Sequence, residues 1–143
     1  ECLTQLGWLY SVCGRNEEAE SIQRESVRVN TTLYGPNSFF VARETTLLCN
    51  TLLAEKDYVE AEPVAMKAIE IWETFGGKNT PYVLESLVNL AEIKEHFGDY
   101  PQAQILLDRA LKLADLHKFK KDDAHRLKLM NRIKSLEKAR KRK

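Results

Sequence analysis

The stretch FGGKNTPYV, Phe75 to Val83, decides how the rest of the chain is read. Two glycines beside a lysine and a threonine suggest either a loop that cradles phosphate or a joint between helices. A phosphate loop needs GxxxxGK[ST] between a strand and a helix, so that backbone N–H groups and the lysine surround the phosphates. Here Lys78 is followed by Asn79, and helix-periodic apolar segments lie on both sides. Moving the window back by 42 residues lands it on LYGPNSFFV, Leu33 to Val41. Gly77 falls on Gly35, Asn79 on Asn37, Thr80 on Ser38 and Val83 on Val41. The glycine loop is a joint that recurs with each unit.

The same shift runs along most of the chain. Leu6, Leu48 and Leu90 form one column; Gly7, Cys49 and Ala91 form a column of small residues. Ala19, Ala61 and Ala103 make another, and Ser26, Ala68 and Ala110 a fourth. Ile22/Val64/Leu106, Val27/Ile69/Leu111 and Val29/Ile71/Leu113 stay apolar. Small side chains let helices approach closely, and leucines fill the remaining space. A unit built this way buries its faces only against its neighbours.

Each unit reads as two helices. From Thr80 to Phe97, apolar residues recur at Val83/Leu84, Leu87, Leu90/Ala91 and Ile93, an amphipathic helical period. Gly98, Asp99 and Tyr100 break the chain, and a second helix runs on through Leu106, Leu107, Ala110, Leu111 and Leu113. Asp57 with Glu60, and Asp99 with Gln102, have capping-box spacing. Ser38 and Thr80 are expected to cap the first helices, with Pro81 in a first turn where its missing N–H costs nothing. The joint glycines are expected to end the preceding helices in the left-handed conformation. Pro101 suits a helix start, and Pro63, deeper in, is expected to bend its helix. The expected architecture is all-α: an α-solenoid of three antiparallel helix pairs at 1–36, 37–78 and 79–117, with a basic capping helix and tail at 118–143. In that last segment Leu129, Ile133 and Leu136 make one helical stripe, flanked by Leu127 and Met130.

Bulk composition agrees. The chain has 143 residues, about one domain, with 43% hydrophobic and 30% charged residues. Six glycines and four prolines are too few for a strand-and-turn architecture. No apolar run approaches the roughly 18 residues of a membrane span. The first residue is Glu1 rather than a methionine, and the chain is read as part of a longer protein. Cys2, Cys13 and Cys49 give an odd count without CxxC spacing. That argues against disulfides and zinc. It favours small buried hydrophobes in a reducing compartment, cytoplasmic, with the nucleus as the alternative. The net charge of +1 conceals a split. Residues 1–115 hold 10 Lys and Arg against 18 Asp and Glu, a net of −8. Residues 116–143 hold 12 against 3, a net of +9.

LGWLY and GRNEEAE (Leu6–Tyr10, Gly14–Glu20) and LAEIKEHFGDYPQAQILLDRAL (Leu90–Leu111) resemble tetratricopeptide repeats. That repeat is usually about 34 residues long. The longer period here, with AEPVAMKAIEIWETFGGKNTPYV (Ala61–Val83), is similar to the kinesin light chain type. Similar repeats occur in nephrocystin-like and bacterial nucleotide-sensor proteins. HEAT and armadillo repeats share the length but not the small columns. The resemblance covers 1–115. Where kinesin light chains tend to carry paired asparagines in the first helix, this chain has Thr4-Gln5, Thr46-Leu47 and Val88-Asn89.

The resemblance implies a scaffold or adaptor whose first helices line a concave groove for an extended peptide or a partner helix, so the implied partner is protein. By position the groove would show Thr4, Gln5 and Trp8, then Arg43, Thr46 and Asn50, then Glu85, Asn89 and Glu92. Asparagines there would pair with a peptide backbone, and Trp8 and Arg43 are residue types rich in hot spots. Glu85 and Glu92 would repel a carboxylate, which rules out a clamp for chaperone C-termini. The face of the first helix with Leu3, Leu6 and Trp8 is expected to be partly uncovered, an edge for a preceding repeat or for self-association.

The tail ends in KARKRK, with Lys138, Arg140, Lys141, Arg142 and Lys143 as its cations. It reads as the solvated face of a capping helix, or as a dock for an acidic polymer. Without interleaved aromatics or a recognised motif, nucleic acid is disfavoured. Folding back along the acidic body would be screened beyond about 8 Å at physiological salt. His96, His117 and His125 stand in no metal spacing, and His125 with Asp122 or Asp123 reads as a charged helix start. No nucleophile elbow, zinc motif or nucleotide loop occurs. No catalytic residue, metal or cofactor is assigned. The alternative that keeps chemistry nearby is a helical accessory domain of a larger enzyme or sensor.

Overall fold

The computed structural model describes residues 2–118 and 124–142. Seven helices succeed one another among them: α1 Cys2–Val12, α2 Asn16–Tyr34, α3 Phe39–Ala54, α4 Tyr58–Gly76, α5 Leu84–His96, α6 Tyr100–Leu116 and α7 Ala124–Lys141. A short 3-10 turn, Pro81–Val83, leads into α5. Helices α1/α2, α3/α4 and α5/α6 pack as pairs, and each pair rests on the first helix of the next. The fold is the expected all-α solenoid.

Within each pair the chain reverses the same way. The N–H groups of Arg15, Asp57 and Asp99 donate to the carbonyls of Tyr10, Leu52 and Lys94 at 2.9, 2.9 and 2.8 Å. Those of Gly14, Lys56 and Gly98 donate to Ser11, Leu53 and Glu95. This Schellman closure holds its middle residue left-handed, with φ of 73°, 63° and 79° at Gly14, Lys56 and Gly98. The three positions are one column of the repeat, concealed in the sequence by the lysine between two glycines. A non-glycine residue there is strained by roughly 1–2 kcal/mol. Lys56 is exposed, so its side chain offers no packing in compensation. Lys56→Gly is expected to stabilise the fold by about 0.5–1 kcal/mol, net of the greater freedom glycine brings to the unfolded chain. The midpoint of urea unfolding should rise with an unchanged slope.

The closure also makes the capping boxes one-sided. Asp57 accepts from the Glu60 N–H at 3.0 Å and Asp99 from the Gln102 N–H at 3.3 Å, as the spacing predicts. The aspartate N–H groups are already used by the turn, so the Glu60 carboxylate reaches Arg24 of α2 instead, at 2.5 Å. Arg15 holds the equivalent place in the first pair and gives no side-chain cap.

Between pairs the glycines behave differently from the sequence expectation. Gly35 and Gly77 have φ of 85° and 82° but ψ of 160° and 166°. That is an extended region open essentially to glycine alone, not the left-handed helical well. The chain leaves α2 and α4 outward to cross to the next pair, rather than curling back. Ser38 caps α3 by accepting from the Val41 N–H at 3.4 Å. Thr80 gives no side-chain cap to the 3-10 turn after it. Its side chain is buried against Gly76, where an added Cβ would lie 2.7 Å from the Thr80 Oγ1. The glycine at position 76 admits that threonine, and the regular helix starts at Leu84 instead of Thr80.

The small columns sit at the helix contacts. Ala19, Ala61, Ala68, Ala91, Ala103 and Ala110 are fully buried. A Cβ at Gly7 would meet the Gln23 Cγ at 3.1 Å, a tight contact that the glycine relieves. Cys49 is buried, and burial pushes its thiol up to about 12, so it stays protonated and unreactive. Cys2 and Cys13 are exposed, contrary to the expected burial of all three. They flank α1, which has no earlier helix pair covering it in this structure. The same helix leaves Leu6, Trp8 and Leu9 exposed.

The joint between the second and third pairs is aromatic. Trp72 stacks with Tyr82 at 5.2 Å and meets Phe39 edge-on at 5.3 Å. Its indole Nε1 donates to the Thr46 Oγ1 at 3.0 Å. At the far end Ile133 of α7 is buried in the cluster that holds Leu87, Val88, Leu107 and Leu113. Helix α7 thus covers the third pair. Among the described residues no helix is long and apolar enough to cross a membrane.

Candidate functional site

Helices α1, α3 and α5 lie side by side, joined by equivalent polar contacts. The Thr4 hydroxyl donates to Glu44 Oε1 at 2.9 Å, and one repeat on, the Thr46 and Ser86 hydroxyls meet at 3.1 Å. On the other side α2 and α4 part around an apolar cleft of about 420 Å³, with Val27, Val64 and Ile71 over Leu48. The face formed by these first helices is the candidate groove.

At the open end of that face, Thr4, Gln5, Trp8, Arg43 and Leu47 line a hollow of about 240 Å³. Trp8 is 57% exposed. The Arg43 guanidinium sits 3.1 Å from Glu44 Oε1 and is also hydrogen-bonded to Thr4. Glu44 itself is buried, and its second carboxylate oxygen has no hydrogen-bond partner. Leu47 joins the expected set here. In the sequence it looks like one more apolar residue of α3.

Thr46 lies beneath the groove, not on it. It is buried, donates to the Ala42 carbonyl at 2.9 Å and accepts from Trp72. Its place in the expected groove set is corrected accordingly: the hydroxyl serves the joint between pairs.

At the far end the remaining residues form one chain of hydrogen bonds. The Asn50 Nδ2 donates to Glu85 Oε1 at 2.9 Å, and the Asn89 Nδ2 donates to Asn50 Oδ1 at 2.7 Å. Arg132 of α7 then donates from Nη1 to Asn89 Oδ1 at 2.9 Å and from Nε to Glu92 Oε2 at 3.0 Å. Asn89 is fully buried and offers no amide to a peptide backbone, while half-buried Asn50 has one donor and one acceptor site already engaged. The expectation of an open polar groove at Asn50 and Asn89 is corrected here: α7 closes it. The sequence does carry a signal for this. Arg132 falls in the column of Leu6, Leu48 and Leu90, where every earlier unit has leucine.

Of the tail, Lys138, Lys141 and Arg142 are exposed. Lys143, Asp122 and Asp123 lie outside the described residues, as do the side chains of Arg140, Leu129 and His125. Among the described residues, no three His, Cys, Asp or Glu side chains gather to hold a metal ion.

Comparison with known proteins places this architecture. A tetratricopeptide repeat profile matches residues 42–115, and a second tetratricopeptide repeat profile matches residues 1–39. The chain belongs to the tetratricopeptide repeat family. BtubC (BKLC) from P. vanneervenii superposes with a TM-score of 0.79 at 19% identity, over 96% of this chain and 54% of that one. The nearly identical TPR-like repeats of a protein described as a kinesin light chain from Podosopora anserina give 0.78 at 16% identity, over 94% and 64%. The chain spans less than two thirds of those structures. No curated protein sequence matches it. Tetratricopeptide repeats are in general modules for protein–protein interaction.

Proposed function

We propose that the chain is a scaffold that binds a segment of another protein, an extended peptide or a helix, on the face formed by the first helices of its repeats. The observation that carries this is the open-end hollow, where exposed Trp8 stands beside Arg43 on two helices locked together by Thr4 and Glu44. A tryptophan left in water on a rigid helical platform gains a large contact area when a partner covers it, at little entropic cost. Arg43 offers donors beyond those it gives Glu44.

The test compares capture of protein partners by the intact chain and by Trp8→Ala and Arg43→Ala variants, at low and high salt. Trp8 is exposed, so Trp8→Ala should leave helicity unchanged; Arg43→Ala takes the cation away from buried Glu44, so its helicity is checked and Arg43→Lys, which keeps the charge, is measured beside it. Trp8→Ala is expected to weaken a captured partner by about 2 kcal/mol or more, roughly thirtyfold. Capture that ignores both substitutions and vanishes with salt would move the binding surface to the exposed cations Lys134, Lys138 and Lys141 of α7 and Arg142 just after it, and sink this reading.

A further inference from the structure

We propose that the far end of the groove is an arginine-recognition site, held by the chain's own Arg132 and open to an arginine-bearing segment of a partner when α7 gives way. This deepens the scaffold reading and rests on it. The acceptors converge on one spot. Glu92 Oε2 and Asn89 Oδ1 both accept from Arg132, and Asn89 is oriented by Asn50, which is in turn held by Glu85. A carboxylate and an amide oxygen on one guanidinium, with a second carboxylate at the end of the same hydrogen-bond chain, form a site for a cation and repel an acidic ligand. The guanidinium matches it by geometry, because its planar fork serves two acceptors at once where an ammonium is a point charge. The Asn89 amide is held by its bond to Asn50, which does not involve α7, and a pre-oriented acceptor keeps the cost of binding low.

Arg132 is a displaceable occupant. Among the described side chains of α7, Ile133 is buried and Met130 and Leu136 pack half-buried on the same cluster, whereas α5 buries eight. An end helix packed on one side only opens more readily than the pairs it covers. Lys134, Ser135, Lys138 and Lys141 of the same helix face solvent. A partner's arginine then competes with a tethered one, and its apparent affinity is reduced by the fraction of time α7 is seated.

The test uses the full chain and a fluorescein-labelled alanine–glutamine peptide carrying one arginine, with lysine and glutamate counterparts. Binding is measured to the wild type, Arg132→Ala, Glu92→Gln and the double variant, with helicity checked for each. Arg132→Ala is expected to tighten the arginine peptide about tenfold, as for a site nine-tenths occupied by its own plug. The lysine peptide should gain less and the glutamate peptide nothing. Adding Glu92→Gln should remove the gain. Should Arg132→Ala lose helicity, Arg132→Lys keeps the stem and charge and should show a smaller gain of the same order of preference. No gain for arginine, an equal gain for glutamate, or a gain that survives Glu92→Gln overturns the proposal. Capture through Trp8 and Arg43 is measured on the same proteins. If it persists while the arginine gain is absent, only this inference falls; if it too is insensitive to Trp8 and Arg43, the scaffold reading falls with it.

Discussion

Trp72→Ala should lower the stability of the chain by about 3–5 kcal/mol and divide its unfolding into two steps. Trp72 is 4% exposed, is held by Phe39 and Thr46 of its own pair and reaches the third pair through Tyr82. Truncation leaves a large cavity and removes the donor that the Thr46 hydroxyl accepts. In a repeat protein, stability is a sum of unit terms and interface terms. Weakening one interface uncouples what lies on either side of it. Thermal unfolding followed by circular dichroism should therefore broaden or split. A single sharp transition shifted by the equivalent of less than about 1 kcal/mol would show that the joint does not couple the pairs.

Leu87→Ala should cost about 2–5 kcal/mol, and its effect should reach α7. Leu87 is fully buried in the cluster that also receives Ile133 from α7. The change weakens the surface on which α7 sits, so the basic helix should become the first region cut by trypsin. Denaturation gives the loss of stability, and mass spectrometry of limited digests gives the order of cleavage. If α7 stays as resistant as in the wild type, it is held mainly by Arg132 and not by apolar packing.

The repeat was legible because its joint is chemically conspicuous. Two glycine-bearing loops in register brought the alanine and leucine columns into view, and with them the helix pairs. What stayed hidden shares one cause: it depends on where a side chain turns, not on which residue it is. Thr80 has the composition of a cap, yet it is drawn in against Gly76. Thr46 occupies a groove position by number, yet its hydroxyl bonds back one helical turn to Ala42 and takes the Trp72 donor. Lys56 breaks a glycine column by identity while keeping its conformation. In the site, Trp8, Gln5 and Arg43 could be placed by counting, whereas closure of the far end needed α7 positioned in space. The arginine in a leucine column was its one trace in the sequence.

The two kinds of connection have a mechanical consequence. Reversals inside each pair are locked by two backbone bonds apiece, at Gly14, Lys56 and Gly98. The crossing between the second and third pairs has one such bond, Thr80 N–H to the Gly77 carbonyl, and is tied further by side chains, with Arg109 reaching the Lys78 carbonyl and Glu73, and His117 meeting the Asn79 carbonyl. Long side chains stretch and re-form where backbone turns do not. Under tension the array should extend as stiff segments linked by compliant crossings, which loosen before any helix unwinds.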